Sequence, residues 1–228
     1  MRPSQFASAF IPRANTSSIV VLAVNVIFFV GQYLSHDTLT RAGIEYAPLV
    51  FAGQWWRLIT GGFLHAGILH IAMNSYSLWI LVTETEYFYG PSRLTIAYVV
   101  STITGFALAA VMTPSTPVLG ASCAAFGLIG TMLAMGFRNR AEPLSQAVRS
   151  QYGTWLVYGI VMSLWGRVSL AGHFGGFIGG LLVGFIVGLP GLPGSPREVF
   201  WKFAAIASGV LVVYAWFEAL THMGAMGG

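Results

Sequence analysis

Charge is what this sequence has least of. Of its 228 residues only 8% are Asp, Glu, Lys or Arg, and 56% are hydrophobic. A water-soluble domain carries about 25% charged residues. So few charges cannot cover a surface in water, which makes lipid the solvent for most of the chain. Cysteine is nearly missing as well. The single Cys123 excludes an internal disulfide and a cysteine-rich metal centre. The eleven Lys and Arg residues form no run, so the net charge of +4 is not a nucleic-acid footprint and no nucleic-acid partner is expected. No polar stretch is long enough to fold as a separate soluble domain. Asp is absent from every long apolar run, and Glu84, Glu86 and Glu218 stand only at run ends. An HExxH zinc-protease motif is absent too.

What is present is a series of apolar runs near the length of about 20 residues that spans a bilayer as helix. Seven are expected, over 18–35, 68–88, 94–113, 120–137, 152–166, 170–189 and 199–221. The fold class is therefore all-α, a polytopic membrane helix bundle. The first run is longer than a signal-peptide core and ends in "QYLSHD" without a small-x-small cleavage pattern, so it reads as an uncleaved helix. Residues 1–17 form a polar tail, 18–190 a six-helix core, and 191–228 a linker with one additional helix. Basic residues favour cytoplasmic loops. With the N-terminus inside, Arg2, Arg13, Arg93, Arg138, Arg140, Arg149, Arg197 and Lys202 are cytoplasmic, and Arg41, Arg57 and Arg167 are outside. The opposite orientation inverts that ratio.

This topology aligns several polar residues. The second, fourth and sixth runs all begin at the outer face. Their first turns carry His70 and Asn74, Ser122, and His173. Polar side chains in a membrane are costly and face protein or a water-filled cavity. A serine becomes a nucleophile when a neighbouring base takes its proton. A neutral imidazole is suited to that task near pH 7. With no acid in the spans, Ser122 and His173 suggest a dyad rather than a triad. Phe126, four residues after Ser122, shares its helical face and is placed to stack on the imidazole. His70 and Asn74, spaced i, i+4, point from one face as candidate oxyanion donors. The Ser122 N–H, at a helix start, is a third. Each residue also has a plainer reading. A membrane serine commonly packs or bonds its own backbone, a lone histidine can be structural, and Asn74 can join helices.

The dyad requires the fourth and sixth helices to approach closely. Gly172, Gly176, Gly180, Gly184 and Gly188 recur every four residues, widened by Gly175 and Gly179. Such small-residue stripes let membrane helices pack backbone to backbone. The fourth helix answers with Ala125, Gly127 and Gly130. Gly209 and aromatics on the seventh suggest packing.

With these residues in place, the sequence resembles the rhomboid family of intramembrane serine proteases from Gln54 to about Gly188. "WWRLITGGFLH" is similar to its Trp-Arg signature, at Trp56 and Arg57. "HAGILHIAMN" puts His65, His70 and Asn74 on motif positions, and "ETEYFYGPSR" puts Glu86 and Gly90 on the Glu-x-x-x-Gly stretch. "GASCAAFG" resembles Gly-x-Ser-Gly, with Gly120 leading and Ser122 as nucleophile. "GHFGGFIGG" matches the motif of the base, His173. Cys123 stands where the family usually has Gly, and Gly172 where it often has Ala.

The resemblance implies six core helices around a water-filled cavity open to the outside, and a first outer loop lying partly in the membrane interface. It implies transmembrane protein substrates that enter from the lipid bilayer past the fifth helix, and no metal or nucleotide cofactor. It implies a multi-pass protein of a bacterial plasma membrane, with the site opening to the extracellular or periplasmic side. Two other readings stay open, an inactive relative that binds membrane segments and a small transporter; a zinc protease built on His65, His70 and His173 would lack both its HExxH motif and an accompanying carboxylate. Cys123 would lie about 100° around the helix from Ser122, where it would crowd the oxyanion region or narrow substrate choice.

Overall fold

A computed structural model describes residues 15–138, 140–165 and 168–226. Nearly all of the expected N-terminal tail, with Arg2 and Arg13, lies outside the described residues, as does Arg167. The described chain is a bundle of helices: α1 Thr16–Leu34, α2 Thr38–Gly43, α3 Ala47–Phe51, α4 Arg57–Thr60, α5 Ile68–Met112, α6 Ser122–Arg138, α7 Pro143–Trp165, α8 Leu170–Val187 and α9 Pro196–Met226. Helix α5 is two helices end to end. Gly90, at φ 73°, breaks it, and Pro91 opens the second limb. That backbone suits glycine, and proline at a first helical position gives up only an N–H that has no helical partner there. Counting both limbs of α5 with α1 and α6 to α9 yields the seven expected long helices.

Among the described residues, four helices are long and apolar enough to cross a membrane: Thr16–Leu34, Ile68–Met112, Leu170–Val187 and Pro196–His222. Ser122–Arg138 is apolar but shorter, at 17 residues. It is also the centre of the bundle, buried from Cys123 through Gly136. A helix apolar on all sides belongs in a core.

Local chemistry sets the boundaries. Asn15 opens α1 with a capping box, accepting the Ser18 N–H at 2.8 Å while its own N–H donates to Ser18 Oγ at 3.0 Å. This starts the helix before the apolar run does. Helix α7 begins nine residues before the expected 152. Its first turns carry Gln146, Arg149 and Gln151, which hydropathy discounts, yet nothing there prevents helix formation. The segment between α1 and α5 was expected as a loop but contains three short helices and a 3-10 turn, Gly61–Phe63.

The glycine stripe of α8 divides between two neighbours. Gly176, Gly180 and Gly184 face α6, while Gly175 and Gly179 face the second limb of α5. A Cβ on Gly184 would lie 2.7 Å from Ala134 Cβ, and one on Gly175 would lie 2.8 Å from Leu108 Cβ. Any side chain on these faces would force the helices apart. Thr131 Oγ1 bridges the α6–α8 contact, donating to Gly127 O or Gly180 O, each at 3.0 Å. Gly188 is not part of the packed stripe; it is the C-cap of α8 at φ 62°.

Helix α9 packs on α5 and on the short helices α2 and α4. Trp216 stacks on Phe28 at 4.0 Å, and Trp55 stacks on Tyr214 at 5.6 Å. Gly209 corrects an expectation: among the described residues, nothing beyond its own helix turn stands within 4 Å of a Cβ built there. The core-facing surface of α9 is made instead by Ala215, Trp216 and Ala219.

Candidate active site

The site is assembled where the segment before α6 is clamped to the folded segment after α1. Glu45 and Val118 exchange backbone hydrogen bonds of 3.1 and 2.9 Å, and the Gly120 N–H donates to Gly61 O at 3.0 Å. These three bonds fix the approach to Ser122, the first residue of α6. Gly120 sits at φ 125°, a conformation that favours glycine. A Cβ there would also lie 2.8 Å from the His70 ring and 3.6 Å from Asn74 Nδ2. His70 and Asn74 thus converge on the backbone just before Ser122.

His173 enters from α8. Ser169 caps that helix, accepting the Gly172 N–H at 3.0 Å, and so sets His173 one turn inside. His173 Nε2 lies 2.8 Å from Ser122 Oγ. The Phe126 ring stacks on the imidazole at 4.2 Å and 11°. The other ring nitrogen, Nδ1, lies 2.7 Å from Ser163 Oγ on α7. Sequence reasoning missed Ser163, because one serine in an apolar run looks like ordinary helix packing.

On the opposite side of Ser122, the Ala66 N–H donates to His70 Nδ1 at 3.2 Å. That bond requires an unprotonated Nδ1, so a neutral His70 carries its proton on Nε2, the nitrogen turned toward Gly120. Asn74 Nδ2 is buried without a hydrogen-bond partner among the described residues. Unpaired buried donors are costly, and this one faces the same space. The Ser122 N–H, in the first turn of α6, has no acceptor within its own helix.

These groups line a cavity of about 360 Å³. Ser122, His173, His70 and Asn74 form one wall, and Trp155, Tyr158 and Met162 of α7 form the other. Among the described residues no three His, Cys, Asp or Glu side chains come together as a metal-binding set.

Cys123 points away from this cavity. It is 2% exposed and packs with Phe106, Ala109 and Val118. Its Sγ would lie 2.9 Å from a Cβ on Gly105 and 3.1 Å from one on Gly172. The thiol therefore occupies the α5–α6–α8 junction rather than the space beside Ser122, and two facing glycines make room for it.

The other expected residues are not brought to Ser122. Trp56 donates Nε1–H to Ala42 O at 3.4 Å. Arg57 is 1% exposed and donates to Gln54 Oε1 at 2.7 Å and Ile44 O at 2.6 Å. Both brace the segment after α1. His65 lies edge-on to His70 at 5.2 Å, and burial pushes its imidazole down to about 4, with His70 acting in the same direction. Its backbone is held by Gln32 of α1, which accepts its N–H at 2.9 Å and donates to its carbonyl at 3.2 Å. Sequence reasoning passed over Gln32 as the end of an apolar run. Glu86 sits at the far end of the bundle, near the Gly90 break. Beside it, Glu84 accepts from Tyr152 and Gln151 and ties α5 to α7.

Residues 52–190 match the family model described as the rhomboid domain. The chain is 30% identical over 217 residues to the rhomboid protease GluP of Bacillus subtilis (strain 168), covering 91% of this chain and 42% of that protein. It is 36% identical over 156 residues to the putative rhomboid protease YdcA of the same organism, covering 67% and 75%. It is 29% identical over 202 residues to rhomboid-like protease 3 of Toxoplasma gondii, covering 86% and 77%. The chain thus spans less than half the length of GluP and about three quarters of the other two.

Proposed function

The chain belongs to the rhomboid family, and from that premise we propose that it is an intramembrane serine endopeptidase whose nucleophile is Ser122 and whose base is His173. The observation that carries this reading is the 2.8 Å contact between Ser122 Oγ and His173 Nε2 inside a cavity. Ser122 Oγ attacks the carbonyl carbon of a substrate peptide bond and passes its proton to Nε2. The electron pair of the C=O moves onto oxygen. His70 Nε2–H, Asn74 Nδ2 and the Ser122 N–H are the donors for that oxyanion. Collapse of the intermediate breaks the C–N bond, and the imidazolium returns its proton to the leaving amine. Water, deprotonated by His173, then attacks the acyl-enzyme ester and releases Ser122.

The substrate is the transmembrane segment of another protein. Its path is the cavity between α5 and α7, lined mostly by apolar side chains, with Ser77, Tyr158 and Ser163 beside the reacting groups. A segment that unwinds there leaves backbone groups unpaired, which is tolerated in a membrane only within protein or a water-filled space. The excess of basic residues in the loops assigned to the cytoplasm supports an N-terminus inside and a Ser122 end outside. A role as a binder that does not cut is disfavoured, because both dyad side chains are present at bonding distance.

The test is cleavage of a single-span substrate by the purified protein in liposomes. Ser122→Ala and His173→Ala each abolish cleavage, and a fluorophosphonate probe labels Ser122 only when His173 is intact. A Ser122→Ala protein that cleaves as wild type does would sink the reading.

A further inference from the structure

His173 has two polar partners, and only one belongs to the dyad. The other, Ser163, is 5% exposed and stands 2.7 Å from Nδ1. Its Oγ also lies 2.6 Å from the carbonyl oxygen of Gly159, one turn earlier on α7. A hydroxyl has one proton to donate and two lone pairs with which to accept. Serine in a helix commonly donates to the carbonyl four residues back. With the proton committed to Gly159 O, Oγ faces Nδ1 as an acceptor, and Nδ1 must carry the imidazole proton. A neutral imidazole protonated at Nδ1 leaves the Nε2 lone pair free, and Nε2 is the atom that faces Ser122.

We propose that Ser163 is a positioning residue that holds His173 in the Nδ1–H tautomer, completing a directed chain from Ser122 through His173 and Ser163 to Gly159 O. This rests on the reading of Ser122 and His173 as nucleophile and base. The chain conserves protons at every step. When Ser122 gives its proton to Nε2, the imidazole becomes a cation, and Nδ1–H still donates to Ser163. No proton leaves Nδ1, and none moves on Ser163. That bond becomes charge-assisted as the imidazolium forms, and charge-assisted hydrogen bonds are roughly twice as strong as neutral ones. Ser163 therefore favours the state in which His173 has accepted the proton. It supplies orientation without the negative charge of a carboxylate, which the membrane interior would penalise.

The neighbouring residues make this geometry specific. Gly159, whose carbonyl ends the chain, lies against Phe126, and a Cβ there would sit 2.6 Å from Phe126 Cζ. Phe126 in turn stacks on His173. One glycine on α7 thus gives both the acceptor for Ser163 and the room for the ring that stacks on the imidazole. Ser163 and Gly159 ride on α7, while His173 rides on α8, so the base is aligned only while those helices keep this spacing. Ser163 also lines a second apolar recess of about 240 Å³ between α7 and α8.

The experiment pairs kinetics with nitrogen NMR of the full-length protein in detergent micelles, labelled with ¹⁵N-histidine. The His173 signals are identified by their loss in His173→Gln. In the wild type, Nδ1 is protonated and Nε2 is not. In Ser163→Ala the tautomers mix, and kcat falls roughly tenfold, the scale of one hydrogen bond, with KM unchanged. Ser163→Thr keeps the hydroxyl and restores both. The nitrogen shifts need no turnover, so they test Ser163 even if cleavage proves independent of Ser122, a result that would overturn only the dyad. A wild-type His173 protonated on Nε2, or a Ser163→Ala protein with wild-type shifts and kcat, overturns the role of Ser163.

Discussion

At the scale of single residues, the site is a set of side chains whose geometry assigns each one a direction. The His70 Nδ1 bond to the Ala66 N–H turns Nε2–H toward Gly120, and the unpartnered Asn74 Nδ2 joins it there. Asn74→Ala is expected to slow turnover without abolishing it. Removal of one oxyanion donor in a serine protease costs about 2.7–4 kcal/mol, or 10²–10³ in kcat. Steady-state kinetics should show that loss in kcat with little change in KM, and an unchanged kcat would remove Asn74 from the oxyanion role. Cys123 belongs to a different part of the structure. Its thiol fills the space opposite Gly105 and Gly172, so the departure from the family's usual glycine is a packing change one helix face away from the chemistry.

At the scale of elements, the segment between α1 and α5 holds the approach to Ser122 and contains an expensive group. Glu45 is 1% exposed, and neither carboxyl oxygen has a hydrogen-bond partner among the described residues. Burial pushes this carboxyl up from 4.5 to about 7, against the pull of Arg57. A folded-state pKa above the unfolded one means that the folded protein binds the proton more tightly. Its contribution is full below pH 4.5 and is lost as the pH rises through 7. Glu45→Gln is expected to melt close to wild type at pH 5 and above it at pH 8. Thermal unfolding at the two pH values checks this, and an equal gap at both would clear the carboxyl of responsibility. The α6–α8 contact follows the opposite logic. It contains almost no side chain at Gly176, Gly180 and Gly184, and that close approach is what brings His173 to Ser122.

At the scale of the molecule, the end of the bundle away from Ser122 is held by arginines. Arg93, 2% exposed, makes a two-pronged pair with Glu198 at 2.7 Å for each bond and donates to Val187 O at 3.3 Å. Glu198 also accepts the Gly191 N–H at 2.8 Å, and Arg197 donates to Val187 O at 2.7 Å. The C-terminus of α8, the turn after it and the start of α9 are thereby joined to α5. At its other end α9 supports Trp55 and Phe28 beside the segment that clamps Ser122. Helix α9 is a brace running the depth of the protein. Glu198→Gln leaves a buried guanidinium without its counter-charge and should lower the thermal midpoint in detergent. Glu142→Gln, an exposed acid at the same end, is the control. Equal midpoints for the two variants would mean that the pair does not hold α9.

The sequence alone determined the solvent, the class and the long helices, because hydropathy and caps act locally. Lipid needs unbroken apolar runs, and those runs are readable wherever they occur. The helical repeat also paired His70 with Asn74 and Ser122 with Phe126, and the topology set His173 at the same depth as both pairs. Other features were decided only by the tertiary structure. The early start of α7 was hidden by its polar first turns. The short helices after α1 were hidden because they owe their form to packing rather than to periodicity. Ser163, ten residues before His173 on a different helix, has no spacing rule that links it to a histidine. The same holds for the direction of the Cys123 thiol and for Arg93 with Glu198, 105 residues apart. A helix repeat reports which residues share a face. Which faces meet, and which atom of a ring meets which oxygen, depends on how closely the glycines let the helices pack.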